Sequence, residues 1–328
     1  MLAIIATPPS MAKTKVFGEL HTSVDKVFPV GESSRIDWTV KNAIVGIKGS
    51  TEIKKDISFI YQLSWGIDSS GFESQGVGHN GLTNRNQVIG IASRAGAVII
   101  GRFDTPFKTL GRKADLFWHS QLGQNRNVTN ASDWDVRADK IIVFQSPKIK
   151  GFQGSLAYVS DISDTSNITE NASAISASGF YKKGKFVLGA AFEQHNLEGS
   201  NANTQALRFS TIYRHKPLKL VGFYQKENND TAITGEADAD VFGVGIAYRK
   251  GKGTYKAQFY KRNTDSTADN SDLITLGYDH KLAKKLDAYA QIAQGSNLTS
   301  FGENDFAGTN ASNNNDAHGF SFGLRYKF

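Results

Sequence analysis

The densest set of side chains able to do chemistry lies between Gly101 and Asp135, where Arg102, Asp104, Lys108, Arg112, Lys113, Asp115, Asp133 and Asp135 mix both signs of charge. Such a set can order water, line an aqueous passage or pair internally, and the cations here pair with the acids more readily than they hold a ligand. Covalent chemistry finds little support. The chain has no cysteine, hence no thiolate nucleophile, thiolate metal site or disulfide. Its seven histidines, at 21, 79, 119, 195, 215, 280 and 318, lack metal-ligand spacing. No serine has a recognisable nucleophile setting, and no helix follows Gly243-Val244-Gly245 or Gly251-Lys252-Gly253 to make a phosphate loop. These patterns argue against an enzyme and call for no cofactor. The net charge is +7, but the bases come one to four at a time at strand ends. Without a continuous basic stripe, nucleic acid is not the partner.

The segment carrying those charges begins as a strand, Ala97-Val98-Ile99-Ile100, breaks at Gly101-Arg102 and turns through Asp104-Thr105-Pro106. Irregular polar sequence follows until the next strand-like run, Arg137 to Phe144. A connection of about thirty residues is far longer than most, and such loops are usually functional or disordered. The expectation is a loop, about 104–135, that folds into the lumen of a membrane barrel and narrows it.

The rest of the chain supplies the barrel. No apolar run approaches the roughly 18 residues of a spanning helix, and the mean hydropathy is −0.36. Barrel strands escape that test because lipid-facing and lumen-facing residues alternate. From Lys13 onward, strand-like segments are joined by two kinds of connection. The short kind is Glu52–Asp56, Arg94–Gly96, Pro147–Gly151, Lys182–Lys185, Arg214–Lys219, Arg249–Gly253 and Lys281–Lys285. The long kind is Asp25–Ser34, Asp68–Leu82, Asp104–Asp135, Asp161–Ala172, Asn196–Asn203, Lys226–Asp240, Arg262–Asp272 and Ser296–His318. Seven short and eight long connections in alternation imply sixteen strands, an all-β antiparallel transmembrane barrel with short turns on one face and long loops on the other.

Charge sorts with connection type. The short windows hold 17 of the 38 Lys+Arg and 2 of the 31 Asp+Glu, whereas the long windows hold 23 acids against 7 bases. Two different aqueous faces explain that division; a soluble sandwich does not. Strands alternate at period two, most cleanly the last, where Phe320, Phe322, Leu324, Tyr326 and Phe328 oppose Ser321, Gly323, Arg325 and Lys327. Within Arg35–Ile47 the apolar parity switches between Ile36/Trp38/Val40 and Val45/Ile47, which a bulge near Asn42 or a subunit-buried face would reconcile. Residues 1–12 end Ser10-Met11-Ala12 and read as a signal-peptide remnant or a disordered tail, leaving 13–328 as one barrel.

Five stretches make the chain similar to the general diffusion porins of Gram-negative bacteria. They are Ile47-Lys48-Gly49-Ser50, Leu82-Thr83-Asn84-Arg85-Asn86, Gly101-Arg102-Phe103-Asp104-Thr105-Pro106, Ser146-Pro147 and the terminal Arg325-Tyr326-Lys327-Phe328. The resemblance implies a homotrimer of sixteen-stranded barrels in outer-membrane lipids and lipopolysaccharide, passing small hydrophilic solutes and ions by passive diffusion. It also implies that the third long loop folds inward as the constriction, with Phe328 part of the signal read by the barrel-assembly machinery. Carried over by position, Arg102 is a wall arginine and Asp115 a loop carboxylate at the constriction. Asp104, Lys108, Asp133 and Asp135 join them as candidates; Asp115, Asp133 and Asp135 are also open to a reading as ordinary loop charges, and Arg102 to one as a solvent-exposed strand-end arginine. Ile44 and Val143 stand where relatives often place inward arginines, Glu19 at a site that is frequently basic, and His119 and Gln121 where carboxylates are expected. The implied filter acts mainly by size, with a weak transverse field. A substrate-specific channel is the alternative, lacking an aromatic track or basic ladder here; a barrel enzyme or adhesin is the alternative of another class.

Overall fold

The computed structural model describes residues 14–40, 43–67, 82–118, 120–162, 172–198, 202–230, 237–265, 270–298, 300–301, 304–305 and 316–328. The segment 1–12 and His119 lie outside them. Sixteen antiparallel strands form one closed sheet. In chain order they are β1 (Lys15–Pro29), β2 (segments Arg35–Thr39 and Ala43–Lys54), β3 (Ile57–Ile67), β4 (Leu82–Ser93), β5 (Gly96–Asp104), β6 (Arg137–Gln145), β7 (Phe152–Val159) and β8 (Ala172–Lys183). There follow β9 (Phe186–Leu197), β10 (Asn203–His215), β11 (Leu218–Asn228), β12 (Ala239–Lys250), β13 (Gly253–Thr264), β14 (Ser271–Ala283), β15 (Leu286–Ser296) and β16 (Ala317–Lys327). Each strand pairs with its sequence neighbours, and β1 pairs with β16 from Glu19↔Lys327 to Pro29↔Ala317, which closes the ring. Closure satisfies every ladder position without an edge, as a strand structure in lipid requires.

The two faces of the wall differ as period two demands. Ile142, Leu156, Leu188, Phe209, Val244, Ile274 and Phe322 are exposed on the outside. Ser176, Ser210, Gln225, Gln258, Thr275 and Ser321 are buried on the inside. The short turns are tight: Gly184 and Gly251 take φ 55° and 59°, left-handed values that two-residue hairpins need.

The parity switch in β2 has a visible cause. Ser23 pairs with Thr39 and Glu19 with Ile44, so four steps along β1 face five along β2. The extra residue falls between Thr39 and Ala43, and it lets Ile36 and Trp38 share the outer face with Val45 and Ile47. Asn42 itself lies outside the described residues.

Candidate functional site: the constriction beside the third long loop

At the end of β5, Gly101 adopts φ 134°, and the ladder to β6 shifts register between Gly101 and Phe103. The extra residue lies on β6, where three steps from Ala138 to Ile141 face two on β5, so Phe103 keeps the inward parity of Ala97 and Ile99; Asp104, the last residue of the strand, also lines the central cavity. Arg102 does not join them; its guanidinium pairs with Asp139 on β6. Thr105 then caps helix α1 (Pro106–Ala114), its hydroxyl accepting the Lys108 N–H at 3.3 Å. Pro106 occupies the first turn, where its missing N–H costs nothing.

Helix α1 and the chain beyond it lie against inward-facing side chains of β8 to β14. Phe107 and Leu110 are fully buried with Trp134, Ala191 and Ala206, each contributing about 1.5–3 kcal/mol relative to exposure. Beyond the helix, Leu122 and Val128 join a second apolar cluster with Val241, Leu273 and Phe301. Polar side chains of the wall bind the loop backbone. Ser176 accepts the Phe107 N–H at 3.1 Å. Gln225 donates to Thr129 O at 3.0 Å. Gln258 donates to Gly123 O at 2.7 Å and accepts the Leu116 N–H at 3.0 Å. Arg208 is the anchor: Nη1 donates to Phe107 O at 3.2 Å and to Asp135 Oδ1 at 2.7 Å, and the guanidinium lies 4.0 Å above the Phe107 ring. Gly111 faces it, and a Cβ there would collide with the guanidinium.

The remaining half of the lumen is open. Its cavity, about 630 Å³, is bounded by the loop and by inner residues of β1 to β8, β14 and β16. Eight bases line it (Arg85, Lys108, Arg112, Lys113, Arg126, Arg137, Arg325 and Lys327) against four acids (Glu19, Asp104, Asp115 and Asp279). Asp104 sits among three cations, with Arg112 at 2.9 Å, Arg137 at 3.0 Å and Lys108 at 3.6 Å. Glu19 faces Lys327 at 3.4 Å. Asp115 accepts the N–H groups of Phe117 at 2.8 Å and Asn125 at 3.0 Å. Burial pushes its carboxyl up to about 6, although those hydrogen bonds favour the ionised form. Burial likewise pulls Lys108 down to about 7 despite Asp104, and Lys113 down to about 7.

Of the sequence candidates, Glu19, Asp104, Lys108 and Asp115 therefore meet at one cavity. Asp135 is instead buried against Arg208, with Arg126 at 3.7 Å. Asp133 occupies a loop corner at φ 54°, accepting from Asn130 at 3.4 Å. Ile44 and Val143 do reach the cavity wall. Sequence reasoning missed Arg85, Arg126 and Arg137. Arg85 is hidden by a register shift between Leu63 and Trp65 on the β3–β4 ladder, which breaks the parity that would have placed it.

Comparison with known proteins agrees with this architecture. The outer membrane porin protein 32 of Delftia acidovorans is 22% identical over 314 residues, covering 89% of this chain and 87% of the relative. The solved anion-selective porin from Comamonas acidovorans superposes with a TM-score of 0.79 at 20% identity, over 97% of this chain and 100% of that one. OmpT of Vibrio cholerae, in its trimer form, superposes with a TM-score of 0.71 at 14% identity, over 97% and 100%. A sequence profile describing Gram-negative porins matches residues 1–300, and with a closed sixteen-stranded wall around an aqueous cavity the chain belongs to that family.

Proposed function

We propose that the channel filters first by the width left beside the loop and second by charge, in favour of anions. As a Gram-negative porin it is a diffusion channel of the bacterial outer membrane, open to small hydrophilic solutes and ions. The observation carrying the sign is the excess of eight bases over four acids on the cavity wall. At about 7 Å in water, one unit charge changes the energy of a passing ion by about 0.6 kcal/mol, roughly threefold in permeation. The name of the Comamonas structure, an anion-selective porin, lends support. Glu19, Asp104, Lys108 and Asp115 act at this constriction together with Arg85, Arg126 and Arg137. The trimer form of the Vibrio relative supports a homotrimer here. The Phe328 N–H donates to Gly18 O at 3.1 Å across the closing seam, a position that suits a residue inspected during assembly.

A planar bilayer under a KCl gradient tests the sign. Chloride should permeate a few-fold faster than potassium, and the preference should shrink between about 0.1 M and about 1 M salt as screening shortens to about 3 Å. A zero-current potential of the opposite sign overturns the reading.

The same measurement should depend on pH. Below about pH 6 Asp115 is protonated while Lys108 and Lys113 are charged, so the wall presents eight bases against three acids. Above about pH 7 both lysines lose their protons and Asp115 is ionised, leaving six against four. Anion preference should therefore fall steadily from pH 5 to pH 8. Asp115→Asn should remove the acid part of that slope, and a flat profile in the parent protein would contradict the assignment.

A further inference from the structure

The short turns are not equally basic. Those joining β6–β7, β8–β9, β10–β11, β12–β13 and β14–β15 hold fourteen Lys+Arg and no acid. The other two, after β2 and β4, hold three bases and both acids, with Arg94 on Asp56 at 2.9 Å. Thirteen of the fourteen are exposed, Lys219 being half-buried. Among the described residues none of the fourteen has an ion-pair partner.

Two of these charges, Lys183 and Lys250, sit at a particular height on a particular face. Four consecutive descending strands end in an aromatic residue followed two positions later by a cation or histidine: Tyr181/Lys183, Tyr213/His215, Tyr248/Lys250 and Tyr278/His280. Period two puts both members of each pair on the same face, which is the outer one, shared with the exposed Leu207, Phe209, Val244, Ile246, Ile274 and Leu276. The rings continue across the ladder, with Phe186–Tyr213 and Tyr255–Tyr278 centroids each 4.9 Å apart. An amphipathic ring belongs at the boundary between hydrocarbon and headgroups. A cation one pleat beyond it reaches the headgroup layer itself, where anionic lipid attracts bases.

We propose that this arc of five turns binds the phosphate-bearing headgroups of anionic phospholipid in the inner leaflet. Short turns of such barrels face the periplasm, which puts the arc at that leaflet. A cell-wall polymer lying beneath the whole barrel base would not require cations on the outer face just past an aromatic band. Nor would it explain why the β2–β5 quarter is left with a net charge of only +1.

The test reconstitutes the complete protein in nanodiscs of phosphatidylglycerol and phosphatidylcholine at one to three, and counts retained lipid by native mass spectrometry. The phosphatidylglycerol-to-phosphatidylcholine ratio of the retained lipid should exceed the bulk ratio about fivefold, about the effect of one base near an anionic surface. The enrichment should collapse in about 0.5 M NaCl, where screening is strong; this arm needs no variant. Replacing Lys182, Lys183, Lys185, Lys250 and Lys252 with glutamine should lower it about twofold or more, while Lys54→Gln with Lys55→Gln in the β2–β3 turn should leave it intact. Equal retention of both lipids by the parent protein would overturn the proposal. So would enrichment indifferent to the five lysines, or lysine-dependent binding to purified peptidoglycan without any lipid preference.

Discussion

Replacing Arg208 with leucine should release the 104–135 loop and give channels that are wider and noisier. Arg208 and Asp135 are both fully buried and 2.7 Å apart. Arg208 also holds Phe107 O and, through Nε, Gln225 at 2.7 Å. Removing one partner of a buried pair strands the other charge and costs about 3–5 kcal/mol. The strand ladders do not depend on this pair, so the loss falls on loop docking. Single-channel conductance and current noise should rise, and trypsin should gain access to Arg112 and Lys113. The double substitution Arg208→Leu with Asp135→Leu should regain part of the docking, because no charge is left alone in the apolar layer. Parental conductance, noise and protease resistance in Arg208→Leu would show that the apolar face of α1 suffices.

The second large effect is on selectivity. Arg85 lines the cavity beside Arg137 and Arg126, facing the single carboxylate of Asp104. Arg85→Glu changes the wall by two units, from eight bases and four acids to seven and five. At about 0.6 kcal/mol per unit, chloride permeation should fall roughly eightfold and potassium permeation rise by a similar factor at low salt. The surrounding cations can accommodate the new carboxylate, so conductance should change far less than the ratio. An unchanged ratio would mean that the permeating ions are screened from this wall.

How far the chain could be read from its residues follows from which signals are local. Turn type, strand parity and the sorting of charge between faces are each properties of a few adjacent residues, so sixteen strands could be counted. The switch in β2 was visible as well, since Ile36 and Val45 cannot share a face without an extra residue. The cavity is different because its charges converge from distant strands. Arg85, Arg137, Arg325 and Lys327 share one cavity though they come from β4, β6 and β16. At the end of β5, Phe103 follows the inward parity of Ala97 and Ile99, but parity alone points the wrong way for Asp104, which lines the same cavity. Nor does parity separate inward residues that meet water from those under the loop. Arg208, Glu227 and Arg262 follow the same alternation as lumen residues yet are buried. What covers them is a segment about a hundred residues away in sequence.

The anchoring of the loop has a mechanical side. A ring of hydrogen-bonded strands resists stretching around its circumference but flattens easily under sideways load. Here a rod starts from the wall at β5, crosses the bore and is riveted at Ser176, Arg208, Gln225 and Gln258 on the far arc. It braces the cross-section against becoming an ellipse when lipids press unevenly. The gauge of the pore is thus held by a strut, and should change little with the bilayer around it.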